Sequence, residues 1–572
     1  MLDASFWSAG PRMDLCWARA RQVSLTPRLL AASLLISTAL VPLAWAQDVL
    51  PSGGQFVAGS GTITAGGQTM EINQASQSGI INWGEFSVGV GNQVHFENGS
   101  GGTLNRVTGN IPSLIDGGLS ATGSVFLVNP SGVVVGTNGV VETGGSFVAA
   151  TQDLSDADFL DGGSMTFSGI SGAGVVNLGS IRSAQGDIAL IAREVTNLGT
   201  LEAPNGTVGL AAGYQVLLKD AADADGLLSV EIGGSETAAT NAGAIAAASA
   251  EIRANGGNVY ALAGNTDDVV KATGVTNSGG RIFLTAGGGG QVEASGTLVA
   301  HRETASGAVD GGDIVVTGDA IDASGSFDVS AEGAQGAGGS IVLYADETAD
   351  VSGTFRARGG TGGMGGFVET SSAGTINYAG VTVDTSAVGG MAGEWLIDPI
   401  TLTVDAAAAA TIATNLASTN VSLQTTDSTA SGPGNQSAGD GDILINSGIA
   451  WTSANTLTLN AYNNIAINAA INGQNGGLTL LAYGNSSTDA VGTISTGAGG
   501  AVDIGNFTLN RGVWEQVGAG LPDFSANGMD VRSGTFIRAL GGDGTYTDPY
   551  ALFDVYGLQG ITTNDWRGRR SG

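Results

Sequence analysis

Gly312-Asp-Ile-Val315, Gly339-Ser-Ile-Val342, Gly366-Phe-Val368 and Gly393-Glu-Trp-Leu396 stand 27 residues apart. Each is a glycine followed by a short apolar run, and Gly325-Ser-Phe327 and Gly353-Thr-Phe355 recur between them in phase to within one residue. The rhythm continues on both sides. Gly186-Asp-Ile-Ala-Leu190 and Gly206-Thr-Val-Gly-Leu210 are 20 apart, as are Asn177-Leu-Gly179 and Asn197-Leu-Gly199. Ile443-x-Ile445 and Ile465-x-Ile467 are 22 apart, and Leu457-x-Leu459 and Leu478-x-Leu480 are 21 apart. Short apolar runs bounded by Gly, Asn and Ser read as strands. Strands and turns repeating at this period read as coils of a parallel β-solenoid. Every strand of such a stack pairs with its equivalents above and below, so inward positions must be apolar at matching places. Ile314, Ile341 and Val368 are therefore expected in one interior ladder. A β-propeller is the rival all-β fold, but its blades need about 40–45 residues. Coils of about 23 residues stacked about 4.8 Å apart would form a rod roughly 110 Å long.

The remainder of the 572-residue chain agrees. Ninety-six glycines and 12% charged residues suit a chain that turns often and buries many short strands, and glycine lacks the strict period of collagen. Helical periodicity is confined to two short stretches, 153–159 and 406–416. The net charge is −31, and Lys219 and Lys271 are the only lysines. A backbone-phosphate binder needs clustered Lys and Arg, so nucleic acid is excluded as a partner. Acidity instead serves solubility and mutual repulsion.

Residues 1–46 read as an export signal. Arg12, Arg19, Arg21 and Arg28 form a basic leader, residues 29–41 an apolar core, and Ala44-Trp45-Ala46 a small-x-small site with cleavage after Ala46. The apolar core is shorter than the ~20 residues that span a bilayer. Cys16, the only cysteine, falls inside this segment, so the processed chain has none. That suits a chain threaded unfolded through a second membrane, and equally suits a core that needs no disulfide.

A second informative stretch runs from Asn105 to Ala150. Asn105-Arg106-Val107-Thr108-Gly109 is followed by Ser124-Val-Phe-Leu-Val128, Asn129-Pro130-Ser131-Gly132, Val133-Val-Val135 and Gly144-Gly-Ser-Phe-Val148. The runs 125–128 and 133–135 are wholly apolar, as in strands buried on both faces. Asn129-Pro130-Ser131-Gly132 is a strong turn, with the Asn side-chain oxygen placed to accept a backbone N–H two residues on and Pro130 fixing the reversal. Taken alone it is a corner between core strands. In order and spacing, however, these motifs resemble the amino-terminal secretion domain of filamentous-haemagglutinin-type exoproteins, the secreted members of two-partner secretion systems. Gln77-Ser-Gly-Ile-Ile-Asn-Trp83-Gly-Glu-Phe86-Ser and Val94-His-Phe96 fit the same family, so the resemblance covers roughly 50–165. Ser131 stands where the family usually has a second Asn, and Asn105-Arg106-Val107 where some members carry an Asn-Pro turn.

The resemblance implies a right-handed parallel β-helix, an outer-membrane transporter with periplasmic docking domains as partner, and secretion to the surface or medium of a Gram-negative bacterium after Sec export. It also implies that Asn105, Arg106, Val107, Asn129, Pro130, Ser131 and Gly132 form the segment engaged by the transporter, by strand addition to a docking-domain edge. Segments 47–170, 171–398 and 399–572 are then the secretion domain, a repeat region and a further solenoid-like region. Residues 548–560 resemble a junction inside longer adhesins, so a truncated parent is expected. By family analogy the shaft serves adhesion to a cell or matrix glycan or protein.

The rival class is a secreted β-helical polysaccharide lyase or glycosidase, which needs facing carboxylates or a metal on adjacent coils. Asp153, Asp156, Asp158 and Asp161 are the densest early acidic cluster, and a solvated helix start accounts for such a cluster far more often than catalysis does. Asp220, Asp223, Asp225 and Gly226 hint at calcium, but an EF-hand register would put Ala221 at its first position and Ile232 at its twelfth. Residues 541–546 open like a calcium-binding nonapeptide, with Tyr546 in place of its Asp. Gly360-Thr-Gly362-Gly-Met-Gly365 matches a dinucleotide fingerprint by letter but precedes a strand, so it reads as a glycine turn. His95 and His301 are too distant in sequence to suggest a metal pair. His95 is expected to pack beside Phe96, and Trp83 and Phe86 to be core. No enzyme, cofactor or metal is expected. The last residues end no barrel of the autotransporter kind, so the pore is expected on a separate protein.

Overall fold

A computed structural model describes residues 49–563 except 224, 263–268, 276–279, 305–308, 427–439 and 486–490. The expected signal segment with Ala44 and Ala46, the polar stretch Ser431-Gly-Pro-Gly-Asn435, whose composition reads as an excursion loop, and the terminal residues 566–572 lie outside these.

The described residues form a right-handed parallel β-helix. Its most continuous face begins at Ser78–Trp83 and ends at Phe524–Val531, one strand per coil. Along it Phe147, Ile188, Val208, Ala250, Ile282, Ile314, Ile341, Val368, Trp395, Val421, Leu457, Leu478, Phe507 and Met529 are successive parallel partners. Ile314, Ile341 and Val368 are completely buried, as the repeat spacing predicts. The other repeats stack in the same way: Ile443 pairs with Ile465, Leu457 with Leu478, and Asn177 with Asn197. Phe327 lies over Phe355, their rings 4.6 Å apart and nearly parallel. Asn177, Asn197 and Asn241 form a buried amide column, each passing a hydrogen bond to the next at 2.8 and 2.7 Å.

The recurring glycines have a steric cause. A Cβ on Gly339 would meet the carbonyl oxygen of Gly312, one on Gly366 that of Gly339, and one on Gly393 that of Gly366. At this corner each coil lies directly on the backbone of the one before it, and a side chain has no room.

Outward positions of the first coils are also apolar, and a second layer covers them. Strands Asp153–Leu154, Met165–Ser168, Gln215–Asp223 and Gly226–Ile232 form an antiparallel sheet. Ile80, Leu104, Phe126, Val148 and Ala189 pack under it with Phe159, Phe167, Val216 and Leu228. This layer explains why Val125–Val128 is buried on both sides. At Val133–Val135 the expectation holds only in part, since Val134 is half-buried and is not among the described residues that pack under the second layer.

Both expected helices form, with different bounds. The first spans Asp156–Asp161, not 153–159, because Asp153 and Leu154 pair with Ser168 and Phe167, and Ser155 caps the helix by accepting from the Asp158 N–H. The second spans Ala406–Asn415 and is capped by Asp405. Asn415 accepts from the Val383 N–H at 2.7 Å and donates to Val381 O at 3.0 Å, so the helix end takes the place of the next strand above Thr382–Asp384.

Gly366→Ala should destabilise the fold by roughly 1–3 kcal/mol, because the backbone of two coils must separate. Gly288→Ala, with open space at its Cβ, should be nearly neutral. Urea unfolding of the two variants measures the difference.

Candidate functional site

Asn105 and Arg106 are neighbours on the strand Gly102–Val107 and point to opposite sides of it. Asn105 points inward. It occupies a column that otherwise runs Ile81, Leu127, Ala149, Leu190 and Leu210. A buried amide in such a column needs partners. Its Oδ1 accepts from the indole Nε1 of Trp83 at 2.9 Å, and its Nδ2 donates to Thr103 O and Phe126 O. The device recurs far down the chain. The same column carries Thr370, whose hydroxyl accepts from Trp395 Nε1 at 3.0 Å. Val107 is buried opposite Trp83.

Arg106 points outward and fixes the second layer. Its guanidinium donates to Asp153 Oδ1 (3.0 Å), Asp156 Oδ1 (2.7 Å) and Leu154 O (2.6 Å). Two members of the early acidic cluster are therefore the counter-ions of Arg106, while Asp158 supplies a capped backbone N–H.

Asn129 sits one coil on, immediately after the strand that pairs with Gly102–Val107. As expected for the turn, its Oδ1 accepts the Ser131 N–H at 2.9 Å and Gly132 N–H returns to Asn129 O at 3.0 Å. Gly132 has φ of +118°, which disfavours any side chain there. The sequence does not reveal the other end of the amide. Its Nδ2 donates to Ile111 O and Ser113 Oγ, both at 2.9 Å, tying this corner to the coil before it. Pro130 is exposed, and its carbonyl accepts from Ser171 Oγ at 2.7 Å, tying the corner to the coil after it. The two motifs therefore lie on adjacent coils. The side chains of Asn105 and Asn129 are fully buried there.

Further supports of the first coils carry no sequence motif. Asn98 is buried and bonds Thr103 Oγ1, Ser124 O and the Gly123 N–H. Glu251 is fully buried, accepts the Leu227 and Leu228 N–H groups at 2.6 and 3.1 Å, and is held by Arg253. It closes the open edge of the second layer. Its outward column has Gly209 on the coil before it and Phe283 on the coil after it, so only the register reveals that this acid meets the layer's edge.

Trp83, Phe86 and Phe96 form an aromatic core, with centroids 5.3 and 6.5 Å apart in sequence order. His95 does not pack beside Phe96. Strand alternation turns it outward, where its Nδ1 meets Ser120 Oγ at 2.8 Å. His301 is buried on a distant coil beside Glu332. No group of three or more His, Cys, Asp or Glu converges among the described residues. Asp220 lies within the strand Gln215–Asp223, and Asp225 precedes Gly226–Ile232; the Asp225 carbonyl accepts from Arg253. The turn at 541–546 is closed by Asp543 and Asp548 and leaves Tyr546 in solvent. Gly360–Gly365 is a turn leading into the strand Phe367–Ser372.

Asp398, which the sequence did not single out, is the carboxylate nearest to a catalytic acid in its properties. Burial and then the neighbouring Glu369 push it up to about 6, against the bond from Gln424 Nε2 at 2.8 Å. Gln424 in turn accepts from Asn460, so Asp398 ends a stacked amide column. A folded-state value above the ordinary 3.8 means that the folded chain binds this proton more tightly than the unfolded chain does. The resulting stability is present in full below about pH 4 and is lost as pH rises through about 6. Asp398→Asn should therefore stabilise the protein at pH 7 by up to about 3 kcal/mol, with the gain vanishing below about pH 4. Thermal unfolding of both proteins across this range measures it.

The family model of the TPS secretion domain matches residues 47–300. A heme/hemopexin-binding protein of Haemophilus influenzae is 30% identical over 272 residues, covering 45% of this chain and 30% of that protein. A second protein of that name and genus is 37% identical over 99 residues, 16% of this chain and 11% of its own length. The matches thus span a third or less of those relatives. Among solved structures, the HMW1 secretion domain from H. influenzae aligns with 20% identity over 72% of this chain and 98% of its own, at a TM-score of 0.43. The filamentous hemagglutinin secretion domain aligns with 16% identity over 60% of this chain and all of its own, at 0.29. Residues 47–300 belong to the TPS secretion domains, the amino-terminal domains of filamentous-haemagglutinin-type exoproteins.

Proposed function

We propose that this chain is exported through a separate outer-membrane transporter and acts outside the cell as an adhesin with a β-helical shaft. The secretion-domain match carries the export half of this reading. Residues 1–46 would deliver the chain to the periplasm through Sec, with cleavage after Ala46. Residues 47–300 would serve as the secretion domain, with the recognised motifs in its first part, 47–170, and residues 301–398 and 399–572 would serve as shaft and distal shaft.

Burial constrains the recognition step. Asn105 and Asn129 are enclosed once the first coils have formed, so docking domains can meet these side chains only on an unfolded chain. The segment 105–132 would engage the transporter extended, by strand addition, and release it as the coils close. Outside, the first coils would nucleate and later ones add by nearest-neighbour stacking, which opposes return. Adhesion rests on family analogy. Against a lyase or glycosidase stands the occupation of Asp153 and Asp156 by Arg106.

Secretion with and without the partner transporter tests the export half: the chain should reach the medium only when that transporter is present. Asn105→Leu should lower stability by roughly 1–3 kcal/mol, since Trp83 Nε1 loses its acceptor, and adding Trp83→Phe should recover part of the loss. Recovery of secretion along with stability assigns Asn105 to folding; stability recovered with secretion still lost assigns it to transporter reading. Asn129→Ala should reduce secretion well below that of Asn475→Ala, a mild change far down the shaft, and equal wild-type secretion of both would reduce 129–132 to a structural corner.

The adhesin half is tested with purified protein on cells and on polysaccharide. It should bind cells while releasing no new reducing or unsaturated ends. Release abolished by Asp156→Asn would transfer the chain to the enzymes.

A further inference from the structure

A groove runs along the outside of the shaft, apart from the secretion-domain motifs. One outward position recurs there as Asp313, Ser340, Phe367, Glu394 and Asn420, each the parallel partner of the next. Thr456 follows, its N–H bonded to Asn420 Oδ1. The column spans six coils, about 24 Å at the strand spacing. Glycine-rich turns at 332–339, 359–366 and 386–393 stack beside it as a ridge, with Gly338 N–H to Met364 O and Gly365 N–H to Met391 O both at 2.9 Å. Met364 and Met391 stand out from that ridge, 54% and 66% exposed. The space between ridge and column is about 1050 Å3.

Its chemistry alternates. Half-buried Phe367 offers an aromatic face and the two methionines offer polarisable apolar walls. The Ser340, Thr456 and Thr458 hydroxyls and the Glu394 carboxylate line the same groove. Among the described residues, those four side chains make no hydrogen bond. Sugars present this same combination, C–H faces flanked by hydroxyl edges. The coil spacing is close to the length of one β-linked hexose unit, so successive sugars would meet successive coils. Asp310, Asp313 and Glu394 face one cation, Arg302, which is already paired with Asp313 at 3.0 Å. With the net charge of −31, this disfavours anionic polymers. An extended peptide would need a free strand edge, and the strands beneath this column pair coil to coil.

We infer that the groove binds a neutral, extended β-linked oligosaccharide, one sugar per coil. This names the ligand class of the proposed adhesin and rests on that reading for its biological use. The test titrates the secreted full chain, labelled at methionine methyls, with cellohexaose and N-acetylated chitohexaose. Saturable shifts at the Met364 and Met391 methyls are expected with at least one of them. Phe367→Ala should weaken that binding about tenfold or more. Glu394→Ala, at an exposed position where folding is not at risk, should weaken it measurably. A heparin hexasaccharide should leave both methyls unmoved. No shift with either neutral sugar, binding unchanged in both variants, or equal binding of heparin would each overturn the proposal. Cell binding is read on the same samples. Cells bound without any sugar shift overturns the groove and leaves adhesion standing, whereas a sugar shift without cell binding supports the groove and overturns adhesion.

Discussion

Coil must lie on coil at the spacing of hydrogen-bonded strands, and that contact decides what each position tolerates. Where the chain turns tightly against the previous coil, as at Gly339, Gly366 and Gly393, a Cβ would fall on a carbonyl oxygen of the coil below. Inside, every apolar side chain rests on an equivalent one, as Phe355 does on Phe327. Polar groups enter this regime as columns or with a dedicated partner. The Asn177, Asn197 and Asn241 amides bond one another in series, whereas Asn105 and Thr370 each accept from a tryptophan. Desolvation would otherwise cost about 1–3 kcal/mol at each such site.

The same constraint made the architecture legible. A glycine demanded by one coil is demanded again by the next, so Gly312-Asp-Ile-Val and its successors announce the stack in one dimension. Lateral cover left no such mark. Ile80, Leu104, Phe126 and Val148 face outward, yet in sequence they look like inward residues, and only register separates the two. His95 faces away from Phe96 for a related reason: adjacency in sequence means opposite faces on a strand. The Asn129 turn was readable because its oxygen acts two residues away. The other half of that amide was not, because Ser113 becomes its neighbour only when a coil has closed. Asp398 was invisible as a perturbed acid, since its burial and its neighbour Glu369 come from separate coils.

A solenoid gains stability by repetition, but repetition leaves register weakly specified, because apolar columns tolerate displacement by a coil. The first coils carry polar contacts that fix register, and the shaft repeats the device at Thr370 and Trp395. Asn105 needs Trp83, Asn98 needs Thr103 and Ser124, Asn129 needs Ser113, and Arg106 needs the second layer. Each contact has one satisfactory partner. A coil displaced by one position would leave buried amides unpaired, so these residues select a single starting alignment. Later coils then inherit it through columns such as Ile314, Ile341 and Val368, which carry little information of their own.

This division links fold to export. Under the proposed export, the contacts that fix the first coils would form before the repetitive shaft stacks on them, so register would be set while few wrong alternatives exist. The residues that set it are those whose side chains vanish into the core as it closes. Their accessibility would therefore report whether folding has begun, and under the proposed recognition a transporter holding segment 105–132 extended would also prevent the first coil from nucleating. Recognition and folding would then compete for the same amides, because the Asn105 side chain is enclosed against Trp83 once the coils close.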